Sequence, residues 1–280
     1  MPAPDDRSLA AVRLAGGSLV GAAILHALPA LAFYSRHLRH RLGVETEVSW
    51  GGLAASGAEG GGAWGGGAWG GGAGDDRAGE DRAGDDRAGP RAGCALTFDD
   101  GPHPRGTPAV LDALAAAGAH ATFFLVGEQV QRNPGLAAEI AAAGHGIALH
   151  CHRHRNLLRL GPRQTRADIL RAQAIVEDAT GRPIALYRPP YGILNATALA
   201  CARRRGWRTL LWSHWGRDWE ARATPDSIAA QVTSGVRPGA VLLLHDADDY
   251  SAPGSWRRTV AALPRVLDVL AEQGLATISP

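Results

Sequence analysis

Three observations in the sequence predict an α/β fold built on a parallel sheet. Seven short apolar runs recur from Cys94 onward, stretches of helical period separate them, and the residues able to do chemistry follow the runs. Strand and helix patterns that alternate in this way imply parallel strands joined by helices. Seven such strands give an irregular (β/α)7-type barrel resembling the eight-stranded TIM barrel, whose functional groups gather at the carboxyl ends of the strands.

The first run, Ala95 to Asp100 (ALTFDD), sets four residues suited to a buried strand ahead of two aspartates, and Gly101-Pro102 then marks a turn. Asp99 and Asp100 therefore fall at a strand's carboxyl end. Two like charges side by side repel there unless a metal or a shared proton relieves them. A helical pattern over Thr107 to Ala117 leads to the second run, Ala121 to Gly127 (ATFFLVG), and another over Gly135 to Ala143 leads to the third, Gly146 to His150 (GIALH). Arg163 to Ala179 precedes the fourth run, Ile184 to Pro190 (IALYRPP), and Ala196 to Arg205 precedes the fifth, Thr209 to Ser213 (TLLWS). Pro225 to Ser234 precedes the sixth, Ala240 to Asp246 (AVLLLHD), and Trp256 to Gln273 the last, Ala276 to Ser279 (ATIS). Asp99 and Asp100, His150 and His154, Arg188, Asp218, and His245 with Asp246 all lie after a run, so parallel strands bring them to one rim.

The sequence before this part is of another kind. Gly51 to Gly93 repeats GGGAW and then GDDRAG or GEDRAG, too poor in apolar residues to bury a core, and reads as a flexible linker with Trp64 and Trp69 as isolated aromatics. Ahead of it, Leu14 to Phe33 has the length of a membrane span but is weakly apolar, with His26 and Pro29 inside it. A signal anchor, a signal peptide and an amphipathic surface helix all fit this segment. Arginines on both sides, Arg7 and Arg13 before it and Arg36, Arg39 and Arg41 after it, leave its orientation open. The expectation is a membrane-anchored or exported protein, with a cytoplasmic one as the alternative. The chain divides into an N-terminal segment over 1–45, a low-complexity linker over 46–93 and a catalytic domain over 94–280.

All 29 basic residues are arginine and the formal net charge is only +2, which speaks of composition more than of a nucleic-acid surface. The densest basic stretch, Ala202 to Arg208 (ARRRGWR), falls at a predicted helix end where cations complement the dipole. No nucleic-acid motif accompanies it, so nucleic acid is not an expected partner. Cys94, Cys151 and Cys201 fit neither a disulfide framework nor a zinc knuckle. A phosphate loop, a nucleophile elbow and a dinucleotide fingerprint are all missing from the sequence.

What the sequence does carry is a metal-ligand pattern. His150 to His154 (HCHRH) offers a His-x-x-x-His pair at a strand end, and Asp100 can add one oxygen. Two imidazoles and a carboxylate leave open positions, the pattern of a catalytic zinc rather than a closed structural one. His152, between them, points away if the segment is extended. Asp99, free of the metal, can then take a proton from a water that the ion activates. Arg188 in YRPPYG can orient or neutralise a carboxylate such as Asp99. His245 in LLLHD can act as general acid if a carboxylate such as Asp218 keeps it protonated.

TFDDGP, HCHRH, RPPYG, WGRDW and LLLHD, in this order, resemble the motifs of the polysaccharide deacetylases of carbohydrate esterase family four, the NodB-homology domain. The resemblance covers roughly residues 94 to 280. It implies a distorted (β/α)7 barrel, a zinc or similar divalent ion, and removal of N- or O-acetyl groups from sugars. It further implies Asp99 as base, Asp100, His150 and His154 as metal ligands, and Arg188 steering Asp99. The backbone amide of Tyr191 would face the oxyanion, Asp218 would support the acid His245, Trp219 would wall the pocket, and Leu243 would border the acetyl methyl.

Two positions depart from the family pattern. Cys151 stands where Ser or Thr is usual, which removes a hydroxyl that buttresses the loop, and Trp215 stands where an aspartate is common. The expected function is metal-dependent deacetylation of a carbohydrate polymer or oligomer such as peptidoglycan or a chitin-like glycan. A small-molecule amidohydrolase on the same fold and a non-catalytic glycan-binding protein are the rivals. The polymer and the oligomeric state are not encoded in a readable way.

Overall fold

The computed structural model describes residues 26–33, 35–48 and 92–280; the glycine-rich tract and most of the Leu14–Phe33 segment lie outside them. The strands are β1 Val44–Glu45, β2 Gly93–Asp99, β3 Thr122–Val126, β4 Gly146–Cys151, β5 Leu186–Tyr187, β6 Arg208–Leu210, β7 His214–Trp215, β8 Val241–His245 and β9 Ala276–Thr277. The helices are α1 Arg36–Arg41, α2 Gly106–Ala116, α3 Gly127–Arg132, α4 Pro134–Ala142, α5 Pro162–Thr180, α6 Ala196–Arg204, α7 Pro225–Thr233 and α8 Ser255–Glu272. The strands form one sheet in the order β1-β6-β5-β4-β3-β2-β8-β7, with β9 added beside the start of β2. Every ladder between strands is parallel.

The seven apolar runs all became strands, and the six helical patterns became α2 and α4 to α8. Strands β1 and β7 and helices α1 and α3 were not expected. Two residues of strand and six of helix are too few for a period to register, and neighbouring ladders rather than local pattern hold them in place.

Alternation along the strands sorts side chains into two layers. Ala95, Phe124, Ala148, Leu186, Leu210 and Val241, one from each of six strands, pack together inside the barrel with Val48. Their sequence neighbours Leu96, Phe123, Leu149, Tyr187 and Leu242 face the other way and pack against the helices. The inner layer is a floor. Positions one pleat further along, toward the strands' carboxyl ends, stand above it.

The residues ahead of the tract belong to this barrel. β1 pairs with β6, the Leu211 N–H donates to the Glu45 carbonyl at 2.7 Å, and Glu47 bridges to Ala240 just before β8. Residues 44–48 thus span from β6 to the start of β8 and close the seam between them. Gly239 is the meeting point: its carbonyl accepts from Val48 N–H at 2.8 Å, and its own N–H donates to Gly93 at 2.8 Å. Its φ of +85° favours glycine, and a Cβ there would come within 2.7 Å of the Val48 carbonyl oxygen. The tract therefore begins and ends at one place on one barrel. No helix among the described residues is long and apolar enough to cross a membrane.

Val44 is buried in the layer beneath the helices. Val44→Asp puts a carboxylate there and is expected to lower the unfolding free energy by about 2 kcal/mol. Urea denaturation of the full chain measures it, and an unchanged midpoint would show that the barrel does not need β1.

Candidate active site

Inward alternation delivers the chemistry. On β2 the inward positions are Ala95, Thr97 and Asp99; on β4 they are Ala148 and His150; beyond Leu186 on β5 comes Arg188; on β8 Val241 leads to Leu243 and His245. Asp99 and His245 are direct partners across the β2–β8 ladder.

Arg188 is completely buried and its guanidinium lies 3.8 Å from the centre of the Phe124 ring. It donates to Asp99 Oδ1 at 2.7 Å, and to Thr97 Oγ1 and the carbonyls of Leu210 and Leu211 at 2.9 Å each. Burial pulls its pKa down and the Asp99 carboxylate opposes this; a guanidinium stays charged under such opposing pulls. The same residue's carbonyl lies 2.8 Å from His150 Nδ1. That hydrogen bond puts the ring proton on Nδ1 and leaves the Nε2 lone pair facing the cleft.

His150 Nε2 and His154 Nε2 lie 3.6 and 3.4 Å from Asp100 Oδ1, an oxygen without a hydrogen-bond partner. Asp100 holds a φ of 79°, a conformation that a non-glycine residue keeps only where its surroundings impose it. Burial drives the His150 pKa to about 3, and burial followed by the neighbouring His150 takes His154 to about 3. Burial also raises Asp100 to about 7, with the carboxylates of Asp99, Asp246 and Asp218 adding to it against the pull of His245. His150, its proton on Nδ1, thus aims its Nε2 lone pair at Asp100 Oδ1, and His154 Nε2 lies beside the same oxygen. The three ligand atoms lie within 4.8 Å of one another, and two nitrogens with one oxygen suit zinc or a similar divalent ion.

His245 stands beside this group, its Nε2 3.9 Å from Asp100 Oδ2. Its Nδ1 lies 3.0 Å from Asp218 Oδ1, and its backbone N–H donates to Asp218 Oδ2 at 2.7 Å. Thr259 donates to the same Oδ2 at 2.8 Å, so the aspartate is fixed from both sides. Burial works against a charged imidazole here, but Asp218 outweighs it and the His245 pKa rises to about 10.

A second group of potential ligands, His103 with Asp248 and Asp249, behaves differently. His103 Nδ1 accepts from the Gly106 N–H at 2.8 Å, so its Nε2 carries the proton that faces Asp248 Oδ1 at 3.3 Å. With both ring nitrogens engaged this is a brace between two loops.

Asp99, Asp100, His150, His154 and His245 surround a cleft of about 260 Å³ that is also lined by Tyr191, Trp212, Trp219, Leu243, Tyr250 and Ser251. The profile of the family described as Polysaccharide deacetylase matches residues 86–210. A peptidoglycan-N-acetylglucosamine deacetylase of Bacillus cereus is 38% identical over 182 residues, covering 64% of this chain and 82% of the relative. The chain belongs to the polysaccharide deacetylase family. A chitooligosaccharide deacetylase of a Bradyrhizobium species is 37% identical, covering 64% of this chain and 84% of its own length. The family 4 carbohydrate esterase from Streptomyces lividans, solved in complex with acetate, matches with a TM-score of 0.61 at 34% identity, over 67% of this chain and 92% of that one.

The ten residues singled out from the sequence lie at or beside this cleft of a polysaccharide deacetylase barrel. His152 does not line the cleft: its ring lies against Gly127, and its backbone N–H donates to Asp168 Oδ2 at 2.8 Å. Cys151 is buried at the end of β4, and burial pushes its thiol pKa well up, so it is a small apolar filler. Trp212, Tyr250 and Ser251 were missed, as were Thr97 and Thr259, which brace Arg188 and Asp218. Position was the available signal for Tyr250 and Ser251, since both follow β8 in a loop at the carboxyl ends of the strands.

Arg188→Met leaves the Asp99 carboxylate buried without a counter-charge. It is expected to cost about 3–5 kcal/mol of stability and most of the turnover, whereas Arg188→Lys keeps the charge without the four-way fork. Denaturation and acetate-release assays on both variants decide this; wild-type stability in the methionine variant would contradict it.

Proposed function

We propose that this chain hydrolyses acetyl groups from an acetylated glycan, peptidoglycan or a chitin-like oligomer, with a divalent cation, zinc by its ligand set, held by Asp100, His150 and His154. The observation that carries the reading is the convergence of that ligand set, an arginine-held aspartate and an aspartate-held histidine on one cleft. Named deacetylases of peptidoglycan and of chito-oligosaccharides at 37–38% identity support the substrate class.

A divalent cation held by Asp100, His150 and His154 would polarise the acetyl carbonyl and acidify the attacking water. Asp99 takes the proton of that water; its Oδ1 is held by Arg188, so the acceptor is fixed before substrate arrives. His245, kept charged by Asp218, presents Nε2 toward Asp100 and gives its proton to the departing sugar nitrogen or oxygen. The Tyr191 amide, on a turn with φ 59°, faces the developing oxyanion, while Leu243 and Trp219 wall the acetyl methyl. An acetylated wall polymer as substrate accords with a membrane-anchored or exported protein.

Acetate release from acetylated chito-oligosaccharides and peptidoglycan fragments by the full chain tests this, with zinc added and after chelation. Release that persists without metal would refute the metal-dependent reading. Asp99→Asn is expected to lower kcat by about 10³ with bound zinc unchanged. Asp218→Asn removes the carboxylate that raises the His245 pKa. Its acid form is then lost at lower pH, and the alkaline limb of kcat/KM should move down by about one to two units; a limb that stays in place would free His245 from the acid role.

A further inference from the structure

The two histidines of the ligand group are held in different ways. His150 has the hydrogen bond from Nδ1 to a carbonyl that orients most metal-binding histidines. His154 Nδ1 is buried and has no hydrogen-bond partner outside its own residue. Its ring is instead clamped between two tyrosines. Tyr250 stacks on it at 4.5 Å between centroids and 16° between planes, and Tyr191 meets it edge-on at 4.5 Å and 66°.

Of the two, Tyr250 is the fixed one. Its hydroxyl donates to Glu128 Oε1 at 2.7 Å and accepts from Gln129 Nε2 at 3.3 Å, whereas the Tyr191 residue is 55% exposed. Glu128 also grips the backbone that carries the ligand: its N–H donates to the His152 carbonyl at 3.0 Å. One residue at the start of α3 therefore ties down both the loop that bears His154 and the ring that lies on it. Gly127 allows this approach, because a Cβ there would come within 3.0 Å of His152 Nδ1 and 3.2 Å of the Ala172 backbone. The loop that carries Tyr250 is itself pinned by Asp248, which accepts from the Gly254 N–H and faces His103.

We propose that Tyr250 is a positioning residue: its ring, fixed by Glu128 and Gln129, sets the orientation of His154 as a hydrogen bond sets that of His150, and so sets the affinity of the ligand group for a divalent cation. This rests on Asp100, His150 and His154 being the metal site proposed above. A flat ring stacked nearly parallel resists tilting of the imidazole plane, which a loose aliphatic contact does not.

The test is zinc affinity of the full chain by competition with a chromophoric chelator, beside the ring-proton resonances of His154 in the metal-free protein. Tyr250→Leu is expected to weaken zinc about tenfold or more and to shift the His154 resonances as the ring current is lost. Tyr250→Phe keeps the ring and should rescue both readouts to near wild type. Wild-type zinc affinity in Tyr250→Leu overturns the proposal, and so does a Tyr250→Phe variant as weak as the leucine one. Should the leucine variant not fold, Glu128→Ala frees the ring without removing it, and an unchanged zinc affinity there counts equally against the proposal. A wild-type chain that binds no zinc sinks the metal site instead, while the His154 resonances still report on Tyr250.

Discussion

The buried pair of Arg188 and Asp99 is the constraint around which the site is organised. An arginine at the top of a barrel's apolar floor is costly to desolvate, and the cost is tolerable only if its donors are met and its charge is balanced. Here the Phe124 ring lies under the guanidinium, two carbonyls and a hydroxyl take its N–H groups, and Asp99 balances it. None of these acceptors can move far without stranding the others. The backbone carbonyl of the same arginine fixes the His150 tautomer, so one residue positions both the proposed base and a proposed ligand.

Around that pair the site is overloaded with negative charge. The carboxylates of Asp99, Asp246 and Asp218 all bear on Asp100, and that of Asp99 bears on Asp246; the raised pKa of Asp100 and of Asp246, each to about 7, reflects burial first and this crowding second. The fold meets it with different partners: Arg188 for Asp99, His245 and Thr259 for Asp218, Thr107 for Asp246. Asp100 has no such partner on its Oδ1. A divalent cation between it and two neutral imidazoles is the arrangement that the electrostatics leave room for.

The seam of the barrel shows a different economy. Val48 reaches it from before the tract and Gly93, the tract's last residue, from the other end, and both are bonded to Gly239. A long insertion between points that are already neighbours adds little closure entropy as it lengthens, which lets a low-complexity tract persist there. The tract was read from composition as a linker between an N-terminal segment and a catalytic domain; the hydrogen bonds show its two ends on the same barrel wall.

The sequence by itself determined seven of the nine strands and most of the helices, because apolar runs of strand length and helical periods are local signals. It also determined which carboxylates and imidazoles share a rim, since parallel strands and a period of two force residues after each run to one end. It could not determine how each is held. Whether His245 is charged depends on Asp218 from another loop, and whether Asp99 is fixed depends on an arginine 89 positions away. The seam strand, Trp212 and Tyr250 were invisible for the same reason: their roles come from what lies across from them, and only the folded chain sets that distance.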